Sequence, residues 1–395
     1  MTRATLLSSP ILLLVFAVGN AAELPALPMT PPKPVTDEYH GTKVADPYRW
    51  LEDGAAAEVK KWTAAQSRYT RAFLDQLPGL DAIRKRLKEL NGATSPDYFS
   101  LQQRGGKLFA LKAQPPKNQP FLITLASADK PDTEQVIVDP NRLNAKGTTA
   151  IDFYVPSLDG RVVAVSLSEG GTEEGTVHVY EVATGKEQMD VVPRVNGGTA
   201  GGSVAWNADS SGFFYTRYPR GKERPKEDID FYQQVYFHKL GTPTADDSYA
   251  IGKDFPRIAE IQLRTDARAR YTLAIVANGD GGEFAHYLLG PSGKWVPLTK
   301  FADGISTAVF GLDEALYLLS RHGAPRGKIL RLPLTTPELG QAKVVVPESA
   351  ATIESFVPTE QRLYVEDLLG GPSQIRVFDL KGQEQKPVPV KPISS

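Results

Sequence analysis

The spacing of apolar residues changes once along the 395-residue chain, near Pro96. Before that point, between about residues 55 and 90, apolar positions recur at helical intervals. Val59, Trp62, Ala65 and Tyr69 form one stripe, and Ile83, Leu87 and Leu90 form a second. Spacings of three and four put such residues on one helix face. Pro78-Gly79 predicts a break between two helices, and Asn91-Gly92 a stop after the second. Beyond Pro96 the period becomes two and stays there. Six segments repeat one design: a turn, an alternating strand, a polar or glycine loop, and a second alternating strand. The leading strands are expected at 107–112, 161–166, 212–217, 271–276, 315–320 and 362–366, with partners at 121–125, 176–182, 234–240, 283–289, 328–334 and 374–380. The markers Leu108, Val162, Phe213, Tyr271, Leu316 and Leu363 lie 54, 51, 58, 45 and 47 residues apart. A unit near fifty residues with four strand-sized pieces predicts a β-propeller, whose small sheets are apolar on both faces and stable only beside neighbours. A two-sheet sandwich would not repeat this evenly. The expected class is mainly β: six four-stranded blades over 96–395, after an extended leader and short α-helical arm over 23–95.

The first residues have a different pattern. Arg3 precedes an apolar run at 11–18, and small residues follow at 19–22 before Glu23. Residues 1–22 therefore read as a secretory signal peptide. The run is shorter than the roughly 20 residues a membrane span needs, which disfavours an anchor. The mature chain is expected to be exported, periplasmic or secreted, with no membrane association. Pro25, Pro28, Pro31, Pro32 and Pro34 then hold the leader extended. Glycine (34) and proline (31) are frequent enough to suit many short strands joined by turns. The 45 Lys and Arg nearly balance 46 Asp and Glu, a net charge of −1, which argues against a nucleic-acid partner. Cysteine is absent from the sequence, so disulfides, thiolate nucleophiles and Cys-ligated zinc are excluded.

Candidate chemistry is sparse. A hydrolase nucleophile needs a Gly-x-Ser-x-Gly elbow between a strand and a helix. The nearest strings, around Ser203 and Ser306, run into strand-like sequence and read as inner-strand starts. His178, His238 and His286 fall in the second strand of a repeat, His322 in a hairpin loop that could line a mouth of the ring, and His40 before the arm. No two are spaced to share a metal. The loop 278–283 looks superficially like a calcium loop but sits where a hairpin turn is required. The stretch from Arg217 to Asp230 mixes charges and reads as a solvated loop. Trp206 and Trp295 read as strand core. No catalytic, metal or cofactor-binding residue is assigned, and no cofactor is expected.

Five motifs, in order, resemble the prolyl oligopeptidase family: ADPYRWLED at 45–53, SLDGRVVAVSLSEGG at 157–171, GFFYTRYP at 212–219, QVYFHKLGTP at 234–243 and GAPRGKILR at 323–331. The resemblance spans 36–395. It implies an arm, a seven-bladed propeller that keeps large substrates out, and a C-terminal α/β-hydrolase with a Ser-Asp-His triad. Only 32 residues follow Leu363, fewer than the shortest repeat step of 45, so the seventh blade and the hydrolase are expected to be missing. The 395 residues alone are then expected to hydrolyse nothing. An uncovered blade face of roughly 500 Å² would forfeit on the order of 12 kcal/mol at ~25 cal/mol/Å². Closure to a ring of six, self-association through exposed blade faces, or a separate hydrolase chain would avoid that loss. The implied function is the gating portion of an exported serine peptidase acting on short proline-containing peptides. The alternative is a stand-alone secreted propeller that binds a peptide or glycan.

Overall fold

A computed structural model describes residues 25–92, 95–144, 146–197 and 200–391. The signal sequence expected at 1–22 lies outside them. The chain divides at residues 93–94 into two compact units.

In the first unit, residues 25–34 run extended, without regular structure. A proline-rich backbone has no internal hydrogen bonds, so its polar groups need partners from elsewhere. The Trp50 indole donates to the Pro31 carbonyl at 3.1 Å, and the Trp62 indole to the Thr30 hydroxyl at 2.9 Å. The two indoles meet edge to face, with centroids 6.4 Å apart. Lys33 pairs with Glu58 at 2.6 Å and lies over Trp50. Helix α1 (Ala57–Leu74) and helix α2 (Leu80–Asn91) are separated at Gly79, which takes the left-handed conformation. Gly92 then ends α2, its N–H bonding to the Lys88 carbonyl at 2.9 Å. The hairpin of Val35–Tyr39 and Thr42–Asp46 was not anticipated; it turns through His40 and Gly41, both at positive φ. Both stripes fall on helices as expected; Val59 is buried, whereas Ile83, Leu87 and Leu90 are 58%, 51% and 53% exposed.

The second unit consists of six four-stranded antiparallel sheets, each with its strands in chain order. Sheet 1 comprises Asp97–Arg104, Lys107–Ala113, Phe121–Leu125 and Gln135–Val138; sheet 2, Thr149–Pro156, Val162–Glu169, Gly175–Glu181 and Glu187–Asn196. Sheet 3 comprises Val204–Trp206, Gly212–Arg217, Gln234–Lys239 and Ser248–Ile251; sheet 4, Ala259–Thr265, Thr272–Asn278, Phe284–Leu289 and Trp295–Thr299. Sheet 5 comprises Ile305–Phe310, Ala315–Ser320, Lys328–Pro333 and Lys343–Val346; sheet 6, Thr352–Pro358, Arg362–Leu368, Ser373–Asp379 and Glu384–Val388. This is the blade pattern expected.

In sheets 1 to 5 the second strand is covered on both faces, whereas in sheet 6 it is buried on one face only, through Leu363, Val365 and Asp367. All six residues of Ala315–Ser320 are buried. Neighbouring sheets pack face to face in series. Phe109 and Leu122 of sheet 1 pack with Val163, Val165 and Tyr180 of sheet 2. Ala164 and Val179 of sheet 2 pack with Trp206, Phe213 and Tyr215 of sheet 3. Further clusters join sheets 3 and 4, 4 and 5, and 5 and 6. In every sheet the pairing of third and fourth strands breaks register at least once, which bends and twists the outer strand. The turns at the ends of the first strands are tight where sheets 1 and 2 meet. A Cβ on Gly105 would lie 2.0 Å from the Asp159 carbonyl oxygen, and Gly105 also needs φ +54°.

Candidate functional site

The first strands of the sheets lie at sheet edges, with no further strand beside them. Their exposed groups line a cleft. One part, about 440 Å³, is bounded by Gln102 and Arg104 of sheet 1, Phe153–Pro156 of sheet 2, Ser203–Trp206 of sheet 3 and Gln262–Thr265 of sheet 4. A second part, about 550 Å³, shares Gln262 and Arg264 and continues past Glu260, Asp280, Phe284 and Ser306. A third, about 390 Å³, shares Glu260 and Asp280 and adds Tyr218, Asp230, Phe231 and Arg257.

Side chains hold the walls of this cleft to one another. Gln102 donates to the Tyr154 carbonyl at 3.0 Å, joining sheets 1 and 2. The Trp206 indole donates to the Val155 carbonyl at 2.9 Å, joining sheets 2 and 3. The Ser203 hydroxyl donates to the Leu263 carbonyl at 3.3 Å and accepts from the Leu263 N–H at 2.9 Å, joining sheets 3 and 4. Gln233 adds to the same joint, donating to the Gly201 carbonyl and accepting from the Ile261 N–H. Ser203 is thus a stitch between blades. Ser306 is likewise turned to backbone, donating to the Leu319 carbonyl at 3.4 Å. Among the described residues no serine hydroxyl is hydrogen-bonded to a histidine ring.

The histidines lie where the repeat places them, and two take on definite physical roles. His238 is fully buried between sheets 2 and 3. Its Nδ1 meets Asp247 at 2.7 Å and its Nε2 meets Asp190 at 3.1 Å, while the Tyr215 hydroxyl donates to Asp247 at 2.6 Å. Burial pushes the His238 pKa down, but the bonds and charges of the two carboxylates outweigh it and hold it above the ordinary value. His286 is equally buried, bonded through Nδ1 to Thr299 at 2.7 Å, with Nε2 unpartnered. Burial alone lowers its pKa to about 4. His178 is half-buried and pairs with Glu187 at 2.6 Å. His322 lies in the loop after Ala315–Ser320, its N–H bonded to Ser320.

The remaining sequence readings divide. Residues 279–281 form a short turn between the second and third strands of sheet 4, as a hairpin connection requires. Trp206 is core, whereas Trp295 is half-buried at the start of its strand. The stretch after Arg217 is a bonded loop rather than a merely solvated one. Arg217 stacks on Tyr236 and pairs with Glu223 at 3.0 Å, Arg257 stacks on Phe231 and pairs with Asp228 at 2.7 Å, and Arg194 pairs with Asp230 at 2.9 Å. Sequence reasoning missed the charged residues of the cleft. Their one signal is the alternation Glu260, Gln262, Arg264 along a strand edge.

Comparison with known proteins adds to the geometry. The family model described as prolyl oligopeptidase, N-terminal beta-propeller domain, matches residues 28–394. The chain is 31% identical over 324 residues to the prolyl endopeptidase of Elizabethkingia meningoseptica, covering 81% of this chain and 44% of that protein. It is 28% identical over 358 residues to the prolyl endopeptidase of Elizabethkingia miricola, covering 88% and 48%. A solved structure from work on two prolyl endopeptidases and their inter-domain dynamics superposes with TM-score 0.81 at 28% identity, over 92% of this chain and 53% of that one. Prolyl oligopeptidase B from Galerina marginata, at TM-score 0.78 and 19% identity, shares the fold. The chain spans about half the length of these relatives.

Proposed function

The chain belongs to the prolyl oligopeptidase family, and from that premise we propose that it is the gating portion of an exported serine peptidase. In this reading the cleft admits short proline-containing peptides toward a Ser-Asp-His hydrolase domain and turns folded proteins away. The observation that carries it is the cleft along the first strands, whose parts share lining residues, inside a region matching the family's propeller domain from 28 to 394. Its parts, at about 390 to 550 Å³, are on the scale of small-ligand sites and too small for a folded domain. The serines nearest to an elbow motif, Ser203 and Ser306, have hydroxyls turned to backbone, and among the described residues neither meets a histidine that could activate it. Export follows from the signal-like residues 1–22.

Titration of the purified chain with a short proline peptide and with a folded protein tests the gate, while a chromogenic proline peptide tests for turnover. Peptide binding without turnover is expected. Hydrolysis above a buffer blank would overturn the assignment of chemistry to another domain, and binding of the folded protein would overturn the gate. N-terminal sequencing of protein recovered outside the cytoplasm should begin at Ala22 or Glu23.

A further inference from the structure

The charges along the cleft are sorted by sign. In its first part the charged side chains are Arg104 and Arg264, with no carboxylate beside them. Arg264 has no bonded partner among the described residues, and Arg104 donates only to the adjacent Gln103 carbonyl. Further along, Glu260 and Asp280 line the second part, which Arg264 also borders, and the third, and neither carboxylate has a hydrogen bond or ion pair among the described residues. The other charges at that end are already matched, Arg257 with Asp228 at 2.7 Å and Asp230 with Arg194 at 2.9 Å. Four unpaired charges therefore face the cleft, two positive toward one end and two negative toward the other.

The strand supplies the spacing. Glu260, Gln262 and Arg264 occupy alternate positions of Ala259–Thr265, so they share one side of it. Glu260 and Arg264 are four residues apart, about 13 Å at ~3.3 Å per residue. An extended peptide of about four residues has its terminal ammonium and carboxylate at that separation. Burial, and then the charge of Asp280, raise the Glu260 pKa; a cation placed between the two carboxylates would relieve that repulsion.

We infer that the cleft takes short zwitterionic peptides in one polarity, with the carboxylate toward Arg104 and Arg264 and the ammonium toward Glu260 and Asp280. This rests on the peptide-gating reading and goes beyond it, because a gate that excludes by size alone has no preference for direction or for free ends. The sorted charges act as an orienting field that presents each entering peptide the same way round.

The test is calorimetric titration of the full chain with the tetrapeptide Ala-Gly-Pro-Phe in four forms: free, N-acetylated, C-amidated and doubly capped. The free form should bind best, and each cap should weaken binding by about two- to fivefold at low salt, the range of a single exposed ion pair. Arg264→Gln should remove the penalty of C-amidation and leave that of N-acetylation, and Glu260→Gln should do the reverse. Arg104→Gln serves as a second carboxylate-end variant should Arg264→Gln fail to fold. Equal binding of all four forms, or a variant that shifts both penalties alike, overturns the polarity while leaving the peptide gate standing. No binding of any form overturns the gate, and the polarity with it.

Discussion

His286 gives the sharpest quantitative expectation. It is fully buried, shares its sheet face with Leu273, Ile275 and Leu288, and meets Thr299 through Nδ1 while Nε2 has no acceptor. The ring is therefore held neutral, with its pKa depressed to about 4. An unfolded histidine titrates near ~6.5, so below that pH the unfolded chain binds a proton that the folded chain refuses. The stability His286 contributes is present above ~6.5 and is lost as pH falls toward 4. Between pH 7 and pH 4.5 the loss is about 2.5 kcal/mol, against a total of roughly 5–15 kcal/mol for a whole domain. Asparagine keeps a polar atom near the position of Nδ1 and does not titrate. Urea unfolding of wild type and His286→Asn at both pH values separates this proton from every other, because the remaining carboxylates are common to both proteins. The variant should be the less stable at pH 7 and lose about 2.5 kcal/mol less on acidification. Equal losses in the two proteins would refute a neutral, unsolvated His286.

Two further substitutions probe the joints between blades. Asp247→Asn removes one of the two carboxylates flanking His238 and should cost about 3 kcal/mol in a urea melt, as for other broken buried pairs. Because the His238 pKa is raised, its contribution is complete below ~6.5 and fades as pH rises through the folded value, so the wild-type advantage over Asp247→Asn should shrink from pH 6 to pH 9. Gly105→Ala should cost about 3 kcal/mol or more, since the new methyl collides with the Asp159 carbonyl at a left-handed backbone. Gly106→Ala is the control: its φ is also positive but nothing lies within 4 Å, so thermal denaturation should show about 1 kcal/mol.

What the sequence discloses and what it conceals follow from the range of the interactions involved. The second strands of sheets 1 to 5 are legible because both their faces are buried, so that Ala315–Ser320 has no position where polarity is required, and that of sheet 6 is legible from its alternation. Their even recurrence is enough to count the blades. The arm's helices are legible for the same local reason, a stripe and its breaks, yet the stripe alone could not tell that Ile83, Leu87 and Leu90 stay exposed. The first strands carry weak signals. Val204–Trp206 is three residues long, and Ala259–Thr265 alternates polar residues that face no core. Their meaning depends on which blade edges meet, and that is set by contacts between residues some fifty positions apart. His238 illustrates the limit. One carboxylate partner is 9 residues away and the other 48, on a different sheet, so neither spacing signals a site. The charges of the cleft have the same origin. Arg104 and Arg264 are 160 positions apart in the chain and become neighbours of one cavity only because successive sheets bring their inner edges together. A repeat dictates where its edges lie and leaves the residues on those edges free to vary, so chemistry specific to one member of such a fold collects at positions where periodicity carries no information.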